Sequence, residues 1–411
     1  NNMYYFNNYF KSFLFSITLS VLLGACTKED LIIDKEEPIN LNKTSLLVYM
    51  VADNNLNYDA LNNIEKIEEG LMNIENESNV FIYFDGNPAQ LKNSPLLLKL
   101  SKSKNHSITT DTVKIYQEAN SANKERVALV LNDFILETKD ASRKGLILWS
   151  HGTGWLPACF PNCNEANSRA FGEDQIENEK GETPKIRSID IKDLAEVIPH
   201  NTFEYIIFDA CLMQSVEVAY QLRNKTDFIF GGVSLVPATG LSYEKLIPIL
   251  TNISSDYITA AKLIFDEYKR KNDGGASYSL VKTSELENLA SAVKQLFNKY
   301  SLEDRNKFST RKIQGFDHAY GESLFLDFLD YLYSFATQED LSLIKDQLNK
   351  TVLYKNSTKT VLSGRVLTQY PQYMTVNFFS GLSIHKYGQQ RNTYLNIDSA
   401  YEELDWYKAV F

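Results

Sequence analysis

Residues 203–223 join two different periods at one residue. FEYIIFDAC is an apolar, β-branched and aromatic run, short enough for a strand buried on both faces. In the following LMQSVEVAYQLR, Leu212, Val216, Ala219 and Leu222 recur at the three- and four-residue spacing of an amphipathic helix. Strand followed at once by helix is the signature of an α/β unit, and it sets Cys211 on the junction. In an open parallel sheet, reactive groups gather in the crevice outside the carboxyl ends of the strands. A helix N-terminus at that junction would also ease loss of the thiol proton. The plainer alternative is a small buried hydrophobe, as most unpaired cysteines are.

A second run has the same design. Residues 145–149 (GLILW) are short and apolar and lead into Ser150-His151-Gly152. His151 thus follows a buried strand, and Gly152 lets the backbone turn and approach a ligand closely. Neighbouring parallel strands would bring His151 and Cys211 together. A cysteine with a histidine base is what nucleophilic attack on a carbonyl requires. The backbone N–H groups of Gly152 and Cys211 would then face the developing oxyanion.

ILWSHGTGW and IIFDACLMQSVEVAYQL resemble the two signature segments of the clostripain family of cysteine peptidases, within the caspase-like clan. LLVYMVADNNLNYDALNNIEKI upstream and GGVSLVPATGLSY downstream extend the resemblance over most of residues 44–250, and more loosely over 251–411. It implies a caspase-like α/β fold: a mostly parallel sheet flanked by helices, with a C-terminal helical and strand extension. It also implies a cysteine endopeptidase acting on protein or peptide substrates, with His151 and Cys211 catalytic.

The chain has 411 residues, 44% of them hydrophobic and 23% charged, enough to bury a large globular core. Its net charge of −10 argues against a nucleic-acid partner, which would call for a basic patch. Residues 1–25 read as a signal peptide, with Lys11 ahead of the apolar run 13–23. Leu23-Gly24-Ala25-Cys26 resembles a lipobox, so Cys26 is the expected lipidation site and membrane anchor. An ordinary secretory signal is the alternative. The polar, acidic stretch 26–43 reads as a tether. Its Lys28-Glu29-Asp30 resembles the surface-export signal of Bacteroidetes lipoproteins, pointing to a surface-exposed outer-membrane lipoprotein acting as a monomer.

The expected catalytic domain covers residues 44–272, followed by an α/β extension over 273–411 packed on it, with Gly275 close to the boundary. Strands are expected at 45–51, 80–84 and 228–233, and a β-ribbon within 90–117. Helices are expected from Leu56 through Ile67 and over 123–138. Asp53 reads as a helix cap, a catalytic role being the alternative. Later helices are expected at 257–268, 285–300, 325–336 and 340–349, with strands at 277–282, 360–367 and 381–385. His106, His318 and His385 read as exposed or structural.

Residues 155–187 lack regular periodicity and lie between the two catalytic candidates, and long loops of this kind are more often functional than accidental. Cys159 and Cys163 make a poor zinc pair, because four ligands are wanted; a local disulfide or two free thiols is plainer. The family resemblance implies activation by cleavage here, at Arg169 first and Lys180 or Lys185 second, a surface arginine being the alternative. It also implies that Asp209 lines the S1 pocket with Thr239 near it. Thr239 stands where relatives cleaving after Arg or Lys carry a second acid, so basic P1 binding would rest on one carboxylate. Asp209 could instead only hold the strand-end turn. No organic cofactor is implied and no EF-hand pattern occurs; calcium stays open through the resemblance. The competing readings are a non-catalytic surface binding lipoprotein of the same fold, and an acyl hydrolase or transpeptidase using the same dyad.

Overall fold

The computed structural model describes residues 39–86, 94–157, 170–176, 185–271, 275–307, 312–317, 323–363, 372–388 and 397–411. The signal reading, Cys26 and the tether as far as residue 38 lie outside the described residues, as do Cys159, Cys163, Arg169, Lys180 and His318; the tether's expected end at residue 43 is corrected, because a strand already begins at Asn40. The unit treated below is Pro38–Phe411.

In chain order the strands are β1 (Asn40–Ala52), β2 (Asn79–Gly86), β3 (Leu96–Lys102), β4 (Ile108–Ile115), β5 (Ala141–Trp149), β6 (Phe171–Ile176), β7 (Lys185–Ile189), β8 (Phe203–Asp209), β9 (Thr226–Gly231) and β10 (Ser277–Lys282). They continue with β11 (Leu326–Asp327), β12 (Val352–Ser357), β13 (Thr360–Ser363), β14 (Gln372–Thr375) and β15 (Ser383–Ile384). Nine of them form one sheet in the order β12-β10-β9-β8-β5-β1-β2-β3-β4. The central strands β9, β8, β5, β1 and β2 run parallel, and the pairs at either end are antiparallel. This is the mostly parallel α/β sheet expected from the strand–helix alternation, in the caspase-like form that the resemblance implied. The stretch beyond residue 273 supplies β10 and β12 to the same sheet.

Side chains alternate between two cores, as a period of two requires. Leu47, Tyr49, Leu146, Leu148, Ile206 and Phe208 face one way, and Val48, Met50, Ile147, Trp149, Tyr205 and Ile207 the other. The first core is covered by the helices Lys124–Glu137, Ile191–Val197 and Leu286–Lys299 among others. The second is covered by Asn57–Met72, Tyr243–Leu250 and Tyr257–Lys271. Helix Asn57–Met72 buries Ala60, Ile64, Ile67 and Leu71 along one stripe.

Several local expectations are corrected. Leu56, the residue at the N-cap of helix Asn57–Met72, makes no side-chain cap, and Asn54 shapes the entry, its Oδ1 accepting the Leu56 N–H at 2.8 Å. The expected helix at 325–336 is a bridge, β11, and a short helix Phe328–Leu332 started by Asp327, whose carboxylate accepts from Leu329 and Asp330 N–H. The loop 155–187 contains β6, which pairs with β7.

Candidate active site

Five strand ends converge at one edge of the sheet. In the parallel pair β5–β8, Trp149 is opposite Asp209, so His151 and Cys211 each stand two residues beyond the same rung. The Ser150 N–H donates to the Asp209 carbonyl at 3.4 Å. A β-carbon on Gly152 would lie 2.8 Å from the Cys211 carbonyl oxygen, 2.9 Å from Met213 Sδ and 3.1 Å from Ala210 Cβ. The His-Gly turn therefore packs directly on the cysteine turn, and only glycine fits between them.

The helix expected to begin behind Cys211 starts later. Ser215 caps Val216–Gln221 by accepting the Val218 N–H at 3.3 Å. Between them Leu212 takes φ +62°, its N–H donates to the Ser234 carbonyl, and that of Gln214 to the Gly232 carbonyl. The thiol consequently sits on a turn rather than at a helix N-terminus. Val236 gives it polar support, its N–H donating to Sγ at 3.4 Å and its carbonyl oxygen lying 4.0 Å from Sγ. Cys211 is half-buried and is not in a disulfide.

The His151 ring faces two groups the sequence does not advertise. Nε2 lies 2.8 Å from Asn55 Oδ1 and 3.7 Å from Glu173 Oε2. Asn55 follows β1, the other neighbour of β5. Glu173 is buried on β6, which is stitched to the His151 turn. Gly172 N–H donates to the His151 carbonyl and Thr153 N–H to that of Ala170, both at 3.0 Å. Asn54 Nδ2 donates to the Glu173 carbonyl at 2.7 Å. Below them, Ser121 joins Asp174 through its N–H and Asp85 through its hydroxyl. Burial, then repulsion from Asp174, pushes the Asp85 carboxyl well above the usual range, and burial raises that of Asp174 against the pull of the Ser121 N–H.

Asp209 turns into the second core. Oδ2 accepts the Leu241 N–H at 3.1 Å and the Tyr243 hydroxyl at 2.9 Å, and Oδ1 accepts the Tyr268 hydroxyl at 3.0 Å. Burial raises its pKa, and these three donors act against the rise. Gly240 covers it at φ +67°, with a hypothetical β-carbon 2.9 Å from Oδ2. The exposed Thr239 is next in the chain. Lys66 Nζ lies 3.5 Å from the Thr239 carbonyl oxygen, and Lys271 Nζ 3.5 Å from that of Gly240. Burial, then the neighbouring Lys66 charge, lowers the Lys271 pKa. The structure thus brings His151, Gly152 and Cys211 together, with Asp209 at the end of β8 beneath the loop that carries Thr239. Sequence reading missed Asn55, Glu173 and Val236; the asparagine pair just past β1 was the one available signal.

Among the described residues, no group of three or more His, Cys, Asp or Glu side chains is arranged to hold a metal ion, and no helix is long and apolar enough to cross a membrane.

The clostripain-family model matches residues 48–410. The chain belongs to the clostripain family. Two solved clostripain-family structures superimpose on nearly all of it. An inactive zymogen C11 protease from Parabacteroides distasonis is 27% identical at TM-score 0.75, covering 91% of this chain and 99% of that one. A secreted C11 cysteine protease from Bacteroides thetaiotaomicron, solved with an irreversible peptide inhibitor, is 27% identical at TM-score 0.74, covering 90% and 98%. Clostripain of Hathewaya histolytica is 26% identical over 225 residues. That match spans 50% of this chain and 41% of the Hathewaya protein.

Proposed function

We propose that this clostripain-family chain is a cysteine endopeptidase in which Cys211 attacks the scissile carbonyl and His151 is its base. The observation that carries the reading is the shared rung Trp149–Asp209, with Gly152 packed on the Cys211 carbonyl. The pairing of Nε2 with Asn55 assigns the ring proton to Nε2 and leaves Nδ1 to accept the thiol proton. Sγ then bonds to the carbonyl carbon, and the oxyanion faces the Gly152 and Cys211 N–H groups. The imidazolium returns its proton to the departing amine as the C–N bond breaks. Water, deprotonated by His151, releases the acyl group. Glu173 steadies the imidazolium between the two steps. The peptide inhibitor held by the Bacteroides thetaiotaomicron relative supports a peptide substrate here. No step uses an organic cofactor, and chelation with calcium add-back tests the calcium question.

Cleavage after Arg or Lys is the proposed specificity, with Asp209 and Thr239 lining S1. A second reading, uncharged P1, is favoured by the three donors already on Asp209 and by Lys66 and Lys271 on the covering loop. A fluorogenic panel varied at P1, run on the protein and on Cys211→Ala, decides. Arg or Lys turnover lost in the variant supports basic S1; turnover of neutral P1 alone supports the second reading. Equal behaviour of both proteins on every substrate would leave the non-catalytic binding lipoprotein.

Self-activation by cleavage at Arg169 is proposed alongside, supported by the zymogen among the relatives; intact mass of wild type, Cys211→Ala and Arg169→Ala after incubation tests it. Lipid anchoring at Cys26 on the outer-membrane surface, as a monomer, is proposed from the lipobox-like sequence. Release of Cys26→Ala into the medium is the expected outcome.

A further inference from the structure

At the end of the sheet opposite Cys211, the segments entering β8 and β9 border a cleft of about 230 Å³. Its walls include Lys192, Glu196, His200, Arg223, Lys225 and Asp405. Most of these charges are matched. Lys192 pairs with Glu403 and Glu196 with Lys124. Arg223 bridges Glu287 at 2.5 Å and Asp405 at 3.0 Å. Lys225 differs: it is only 8% exposed, and among the described residues no carboxylate lies within ion-pair distance of its ammonium. Its one hydrogen-bond partner there is His200 Nε2 at 3.2 Å.

An ammonium has three hydrogens to donate, and an imidazole nitrogen takes one. A buried charge left otherwise unpaired is costly, and burial accordingly lowers the Lys225 pKa. The helices Ile191–Val197 and Val216–Gln221 end beside the cleft. Their carbonyl ends favour a cation, yet none accepts from Lys225 Nζ among the described residues. A largely buried basic group thus lines an open cleft, on a chain whose net charge is −10.

We infer that this cleft is a binding site for a compact oxyanion of the phosphate or sulfate type, seated on Lys225 and His200 with Arg223 at its rim. The anion supplies the acceptors the protein withholds, and Arg223, whose Nε and Nη1 already donate to Glu287, the Tyr220 carbonyl and Asp405, adds its Nη2. The site lies apart from the proposed catalytic residues and does not depend on that reading.

Isothermal titration of the full chain with sodium phosphate, against sodium chloride at equal ionic strength, tests the assignment. Glycerol phosphate in a parallel arm separates a free ion from a phosphomonoester. Saturable binding is expected in wild type and in Cys211→Ala, with affinity at least tenfold weaker in Lys225→Met. His200→Gln, at an exposed position, gives a second weakened variant should Lys225→Met fail to fold. No saturable heat in wild type with either ligand overturns the proposal. Unchanged affinity in Lys225→Met, or in His200→Gln if that is the variant that folds, does so too.

Discussion

A single β-carbon at residue 152 would press on the Cys211 carbonyl, on Met213 and on Ala210 at once. One of those neighbours is backbone and cannot rotate away. Gly152→Ala is therefore expected to lose about 1–3 kcal/mol of stability, read by urea denaturation, and to lower kcat/KM on any peptide the wild type cleaves. Glu173 acts through the ring it faces. Glu173→Gln is expected to cut kcat about tenfold with KM nearly constant, since one charged neighbour of the imidazolium is worth about 1.4 kcal/mol or more. Glu173→Asp should recover part of it. The strand-end placement of His151 and Cys211 could be read from sequence because each follows an apolar run. Asn55 was signalled only by its place in an asparagine pair just past an apolar run, and Glu173 by nothing local, because neither position marks itself as facing a histidine on another strand.

At the scale of elements, the cysteine turn is built by pairing rather than by helix. Residues 212–214 hydrogen-bond across to 232–234, and the Gln214 side chain locks the arrangement. Fully buried, its Nε2 reaches the Ile229 carbonyl at 3.4 Å, the Ser279 carbonyl at 3.3 Å and Ser279 Oγ at 3.0 Å. Gln214→Ala should cost about 1–3 kcal/mol through the carbonyls it leaves unmatched, measured by denaturation midpoint. Periodicity alone ran the helix back to Leu212, since Leu212 and Met213 are apolar and buried in either conformation. The Ser215 cap was visible as a residue type, but the competing backbone partners at 232–234 were not.

For the molecule as a whole, the C-terminal segment closes through one buried acid onto the helix that follows the Cys211 turn. Glu217 Oε1 accepts the His385 N–H at 2.7 Å and the Tyr401 hydroxyl at 3.1 Å. Burial, opposed by these donors, pushes its pKa up to about 7 from an ordinary 4.5. A carboxyl raised in the folded state keeps a proton that the unfolded chain has lost. Its contribution to stability is intact below about pH 4.5 and falls as pH rises towards 7, at no more than about 1.4 kcal/mol per pH unit. Urea titrations at pH 5 and pH 7.5 should show lower stability at the higher pH, and a smaller difference in Glu217→Gln.

Short apolar runs, helical spacing and two strand-end motifs determined by themselves the α/β class, the parallel centre of the sheet and the placement of His151, Gly152 and Cys211 just past two strand ends. These signals are local, and each is written in neighbouring positions. Only the tertiary structure decided that β10 and β12 complete the same sheet, that β6 carries Glu173 to the histidine, and that Asp209 is already bound by two tyrosines. The physical reason is that such contacts join strand ends distant in sequence, where the register between strands, and not the order of residues, sets which side chains meet.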